Sequence, residues 1–190
     1  AGNGKLYAVG GNEGSPGSRT MEEYDPATNT WRVRAGPRLN VRMNQLAGGR
    51  NGKLYSVSHD SVNPGYQVEE YDPATDSWTS KASFGTESLV IAIAAGLNGK
   101  LYAVAGTGPV TPQNAVYEYD PSADTWTTKA SMPRARGQFG LTVGTNGKLY
   151  AVGGAGNESY TSTLEEFDPS TNTWATKTSM PTARILMGFA

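Results

Sequence analysis

Apolar residues fall in short runs separated by turn-forming pairs, and the same succession returns four times along the chain. In the stretch 137–177, Gly137 to Thr145 is apolar and glycine-rich, which predicts a buried inner strand. Asn146-Gly147 follows, a pair that tolerates the positive φ angles of a two-residue type I′ hairpin. Lys148-Leu149-Tyr150-Ala151-Val152 alternates as a second strand, and Leu164 to Phe167 makes a third after a loop. Asp168-Pro169-Ser170-Thr171-Asn172-Thr173 turns the chain, because Asp caps its own turn and Pro presets the next φ. Thr173-Trp174-Ala175-Thr176-Lys177, β-branched and aromatic, predicts a fourth strand.

The recurrence is nearly literal. Asn-Gly-Lys-Leu-Tyr opens at Asn3, Asn51, Asn98 and Asn146, 47 or 48 residues apart. Tyr24-Asp25-Pro26, Tyr71-Asp72-Pro73, Tyr119-Asp120-Pro121 and Phe167-Asp168-Pro169 follow, and Trp31, Trp78, Trp126 and Trp174 close the units. This period with four short strands per unit predicts a propeller or solenoid array, because one unit cannot bury its own apolar face. The ring at Tyr7, Tyr55, Tyr102 or Tyr150, the third-strand aromatic and the tryptophan are expected to pack between blades. Glu23, Glu70, Glu118 and Glu166 also recur and are expected to form structural pairs.

Gly10-Gly11 and Gly153-Gly154 after the second strand, with the tyrosine and tryptophan at a set separation, resemble the kelch repeat over all four units. The third unit carries Ala105-Gly106, and the second departs with Ser58-His59. The resemblance implies an all-β fold, a kelch-type β-propeller with four four-stranded antiparallel blades per chain. Units of about 1–40, 41–87, 88–135 and 136–183 precede a closing segment at 184–190, all in one propeller domain or half-propeller. The first unit lacks an inner strand. Arg184-Ile185-Leu186-Met187-Gly188-Phe189-Ala190 is expected to supply it, removing two sheet edges at once. If it completes its own first blade, the chain is a four-bladed monomer. If it completes a neighbour's, two chains make an eight-bladed dimer by head-to-tail exchange.

Composition narrows function more than it names it. Net charge is −1, with 24 glycines, 11 prolines and no cysteine. Disulfides and thiolate metal sites are excluded. The basic stripe of a nucleic-acid binder is missing, and so is a basic amphipathic helix for a membrane surface. No apolar run approaches the roughly 18 residues that span a bilayer. No signal peptide stands at the start, and Ala1, inside a repeat and without methionine, reads as a processed or trimmed beginning. The match of Asn3–Gly11 to Asn146–Gly154, letter for letter, points to recent duplication or design.

Catalytic chemistry finds little material. His59 is the single histidine, and Asp60 beside it makes no triad. No zinc or EF-hand spacing occurs, so no enzyme activity, cofactor or metal is expected. Some kelch-like enzymes act on sialic acids with arginine and carboxylate pockets. A fragment of a carbohydrate-active enzyme such as a sialic acid mutarotase therefore stands as the alternative.

The strand directions put the Asn-Gly and Asp-Pro turns on one face. The loops between second and third strands, and those between blades, lie on the other. These second loops differ from unit to unit, and binding chemistry on a repeated scaffold sits in such loops. Candidate ligand residues there are His59, Tyr66, Gln113, Asn157 and Tyr160. Arg38, Arg42, Arg134, Arg136 and Arg184 gather near the start of the inner strands, where their forks match carboxylates or phosphates. The structural alternative is that they cap strands or pair with Glu87 and neighbouring acids. In kelch-like propellers this face often receives a protein or peptide, so the resemblance implies such a ligand; the missing inner strand of the first unit makes a second copy the other expected partner.

Overall fold

The computed structural model describes residues 2–11, 19–38, 45–59, 65–85, 91–106, 113–156 and 159–185. The first blade holds β1 (Leu6–Val9), β2 (Met21–Asp25) and β3 (Thr30–Arg34) in that order. The second holds β4 (Gln45–Gly48), β5 (Leu54–His59), β6 (Tyr66–Asp72) and β7 (Ser77–Phe84). The third holds β8 (Ile91–Ala95), β9 (Leu101–Ala105), β10 (Val116–Asp120) and β11 (Thr125–Lys129). The last holds β12 (Gly140–Val143), β13 (Leu149–Val152), β14 (Leu164–Asp168) and β15 (Thr173–Lys177). Every pairing within these sheets is antiparallel. Every sheet is thus an antiparallel blade, as expected of an all-β fold, and the first blade has three strands among the described residues. The proposed closing strand lies almost wholly in 186–190, outside the described residues. Among the described residues no helix is long and apolar enough to cross a membrane.

The Asn-Gly hairpins differ from expectation. Gly147 donates its N–H to the Gly144 carbonyl at 2.9 Å, and Gly144 donates to the Lys148 carbonyl at 2.9 Å. Gly147 alone of the turn has positive φ, at 79°, and Gly4, Gly52 and Gly99 match it at 73°, 80° and 81°. The loop is thus three residues, a regular turn followed by a left-handed glycine, rather than a two-residue type I′ turn. Asn146 is free to use its side chain instead: Oδ1 accepts the Lys148 N–H at 3.2 Å, and Nδ2 donates to the Tyr150 hydroxyl at 2.8 Å.

The Asp-Pro turns follow expectation, with Asp168 Oδ1 accepting the Ser170 N–H at 2.9 Å. They end on a residue in the left-handed region, at Asn29, Asp76, Asp124 and Asn172 with φ of 51–55°. Asn and Asp tolerate that conformation best among residues with a Cβ. Second-strand length tracks the glycine pair. β1 and β13 stop after four residues where Gly-Gly follows, whereas β5 runs through Ser58-His59 for six.

The chain divides into two compact units, Ala1–Ser88 and Leu89–Ala190, each containing two blades. In the first, Met21, Leu54, Tyr71 and Trp78 form a buried cluster with Tyr7, Val9 and Leu46 packed on it. In the second, Val104, Val116, Met132 and Ala151 do so with Phe139, Leu141 and Trp174. Rings of successive blades meet edge to face, Tyr7 on Tyr71 at 6.0 Å and Tyr102 on Phe167 at 6.1 Å. Each fully buried ring contributes about 1.5–3 kcal/mol by area. The expectation of interblade rings holds at these two seams. Trp78 is 4% exposed, whereas Trp31 of the first blade is 57% exposed.

The glycine two places before the hairpin asparagine in the second, third and fourth units lets the tyrosine ring approach the backbone closely. A Cβ on Gly144 would stand 2.8 Å from both the Tyr150 ring and Asn146 Oδ1, and Gly49 and Gly96 repeat the contact. Gly144→Ala is therefore expected to lower unfolding stability by about 1–3 kcal/mol through overpacking. A lower urea midpoint at unchanged slope is the result that checks it.

Candidate functional site

The four recurring glutamates are held inside their own sheets. The hairpin asparagine donates to the second-strand tyrosine, and that tyrosine donates to the glutamate. The Tyr7–Glu23, Tyr55–Glu70, Tyr102–Glu118 and Tyr150–Glu166 bonds measure 2.7, 2.5, 2.5 and 2.6 Å. A fourth-strand cation reaches the other oxygen: Arg34 at 2.9 Å, Lys81 at 3.5 Å, Lys129 at 3.2 Å and Lys177 at 3.0 Å. The hairpin lysines Lys5, Lys53, Lys100 and Lys148 pair with Asp25, Asp72, Asp120 and Asp168 of the facing turn. The structural reading of the glutamates is the one realised. Among the described residues no group of three or more such side chains is gathered to hold a metal ion.

These bonds set the protonation of the networks. The hydroxyl of Tyr150 and the ammonium groups of Lys177 and Lys148 hold Glu166 down at about 2, against the opposing pull of burial. The Ser170 hydroxyl and amide, with Lys148, hold Asp168 at about 2. Burial pushes Glu23 up, but the bonds from Arg34 and Tyr7 outweigh it and leave the carboxyl lowered. Tyr102 is pushed up by burial and by the Glu118 carboxylate that accepts its proton.

Five of the described candidate ligand residues lie in the second unit. Residues 137 and 155 form a bridge, and 155 and 160 form another. Gly154 donates to the Arg184 carbonyl at 2.8 Å, and Arg184 donates to the Thr161 carbonyl at 3.3 Å. The Arg136 N–H reaches the Gln113 carbonyl at 3.3 Å. So Gln113, Arg134, Arg136, Tyr160 and Arg184 share one end of the second unit. Tyr160 is 62% exposed, and Arg134 and Arg184 are exposed as well.

Arg136 behaves differently. It is 1% exposed, as is Glu165, whose Oε2 lies 2.9 Å from Arg136 Nη2. The same nitrogen donates to the Ala151 carbonyl at 3.0 Å, and the guanidinium lies 5.9 Å from the Phe139 ring centre. Nε and Nη1 have no hydrogen-bond partner among the described residues. Burial lowers the Arg136 pKa and raises that of Glu165, with the opposite charge restraining both. This pair locks the segment between blades to the sheet that follows it. Losing one partner of such a buried pair costs about 3–5 kcal/mol.

In the first unit Arg38 is exposed, and its backbone N–H donates to Glu69 Oε1 at 3.2 Å. Tyr66 is buried and stacked on Phe84 at 4.9 Å. The His59 backbone belongs to β5. Arg42, Asn157, Glu87 and the side chain of His59 lie outside the described residues.

Two features escaped sequence reasoning. The first is the buried carboxylate one place before the recurring glutamate, Glu69 and Glu165. Strand alternation carries the signal, since neighbouring glutamates on one strand must face opposite sides. The second is an open cleft of about 690 Å³ on the hairpin face of the first unit, lined among others by Asn3, Arg50, Asn51, Lys53 and Asp72. Arg50 stands where the other units have Gly2, Leu97 and Thr145, and a cation at that place was the available signal.

The lowered carboxylates dictate acid behaviour. Glu166 ordinarily titrates near 4.5 and here near 2, so the unfolded chain binds its proton first. Its contribution to stability is present above 4.5 and disappears as pH falls through 2. The melting temperature is expected to fall across that window. Tyr150→Phe removes a principal cause of the lowering, so its decline should be smaller and end at higher pH in the same thermal series.

The family model for the kelch motif matches residues 1–38, 94–133 and 141–181. Those segments hold the first, third and fourth blades, and Ser58-His59 falls in the unmatched stretch between them. No curated protein matches the chain. With more than half its length in kelch motifs and each motif folded as an antiparallel blade, the chain belongs to the kelch-repeat family.

Proposed function

We propose that this chain is a noncatalytic scaffold that binds a protein or peptide on its loop face and assembles with a second copy of itself. Kelch repeats commonly mediate protein interactions. The observation that carries the ligand reading is Tyr160, 62% exposed yet held by the bridge from 160 to 155. A Cβ on the intervening Gly156 would lie 3.9 Å from the carbonyl oxygens of both Ala135 and Ser159, so Arg134 and Tyr160 flank adjoining strands of backbone. A fixed aromatic beside an exposed arginine is the composition of an interface hot spot. The ring offers a large contact area at little entropic cost. The guanidinium fork selects a carboxylate on the ligand. An acidic peptide with an apolar neighbour fits both. The self-assembly reading is supported by Trp31, whose counterpart Trp78 is buried against the blade before it.

The test is a peptide selected from a displayed library against the wild-type chain and measured by calorimetry. Tyr160→Ala and Arg134→Ala are each expected to weaken it about tenfold to a hundredfold, with the circular dichroism spectrum unchanged. Affinity unchanged from the wild type in both variants rejects the assigned face.

A further inference from the structure

Neighbouring blades are joined the same way in both units. In the first, the Trp78 indole donates to the Ala35 carbonyl at 2.6 Å, and Asp76 Oδ1 accepts the Ala35 N–H at 3.0 Å. In the second, Trp174 donates to the Ala130 carbonyl at 2.9 Å, and Asn172 Oδ1 accepts the Ala130 N–H at 2.9 Å. Each joint also ties the linking segment to the first glutamate of the third strand, through the Arg38 main-chain N–H to Glu69 in one and the Arg136 guanidinium to Glu165 in the other.

The first blade carries the receiving half of this joint, and its Trp31 is exposed. Trp31 tilts on Tyr24 at 5.1 Å and 41°, as Trp78 does on Tyr71 at 5.1 Å and 42°. Asn29 has φ of 54°, and its Oδ1 already accepts the Tyr24 hydroxyl at 2.8 Å, as Asp76 accepts Tyr71 at 2.7 Å. Glu22 occupies the place of Glu69 and Glu165 but is exposed. Leu6 and Val33 are exposed beside Trp31.

The last blade carries the inserting half. Met180-Pro181-Thr182-Ala183-Arg184 repeats the spacing of Met132-Pro133-Arg134-Ala135-Arg136. Met180 donates its N–H to the Ser162 carbonyl at 2.9 Å, as Met132 does to Asn114 at 2.8 Å. Arg184 is exposed where Arg136 is buried, and Thr178, in the place of Ala35 and Ala130, is exposed as well.

We infer that the first blade of one copy receives the last blade of a second copy through this same joint, an inference that rests on the self-assembly reading above. Trp31 donates to the Thr178 carbonyl of the second copy, Asn29 accepts its Thr178 N–H, and Glu22 pairs with its Arg184. The two halves are complementary in hydrogen bonding and charge, and each copy has one of each. Two copies make the contact twice, which is the closed form of a heterologous interface, and their eight blades lie within the range of propellers.

The test is mass in solution by light scattering and sedimentation, using the full chain. Two chains are expected for the wild type, and any other mass overturns both the self-assembly reading and this joint. Trp31→Arg is expected to weaken association about 30-fold or more. Glu22→Arg and Arg184→Glu, both at exposed positions, are each expected to weaken it, and the double charge exchange to restore it. If Trp31→Arg fails to fold by circular dichroism, the charge exchange decides alone. Two chains persisting in every single variant, or no recovery in the double exchange, overturn the joint while leaving self-assembly standing.

Discussion

A single residue in a left-handed conformation closes the third-to-fourth-strand turn of each blade, and in the second and last blades it also holds the preceding blade in place. Asp76 reverses the chain at φ of 51°, accepts the Tyr71 hydroxyl and accepts the Ala35 amide of the preceding blade. A residue without a short side-chain acceptor reaches neither partner, and one with a branched Cβ resists the backbone conformation. The turn places Trp78 two residues later, so the indole reaches the Ala35 carbonyl only if the turn is right. Local backbone geometry and blade-to-blade docking are thus one constraint, and Asn172 meets it in the second unit.

Polar groups inside the sheets are largely committed to one another. The tyrosine, the glutamate and the fourth-strand cation form a rung across three strands of each blade. Such buried networks stabilise when satisfied and are costly when broken. They hold each blade rigid and leave recognition to residues outside the rungs, Tyr160 and Arg134 among them. A rigid frame carrying variable loops is the physical basis of a binding scaffold.

Strand order, the self-capping Asp-Pro turn and the glycine pair were legible because each depends on residues close in sequence. The hairpin type was not, since Asn-Gly supports both a two-residue turn and a three-residue loop. The glycine at 49, 96 and 144 and its ring contact decide between them. Arg136 looked like a rim cation because its partner, Glu165, is 29 residues away on another strand. Trp31 and Trp78 carry identical signatures in sequence. Their exposures diverge because burial belongs to the neighbour, and no property of a single unit encodes it.

The alanine gripped between blades contributes only its amide and its carbonyl, groups that almost any amino acid offers. A socket that reads main chain places no demand on the side chain plugged into it. A gene segment encoding one such module can therefore be copied and appended without a compensating change in its predecessor. Near-identical neighbours are the natural product of that permissiveness, and lengthening the array is chemically easier than diversifying its seams.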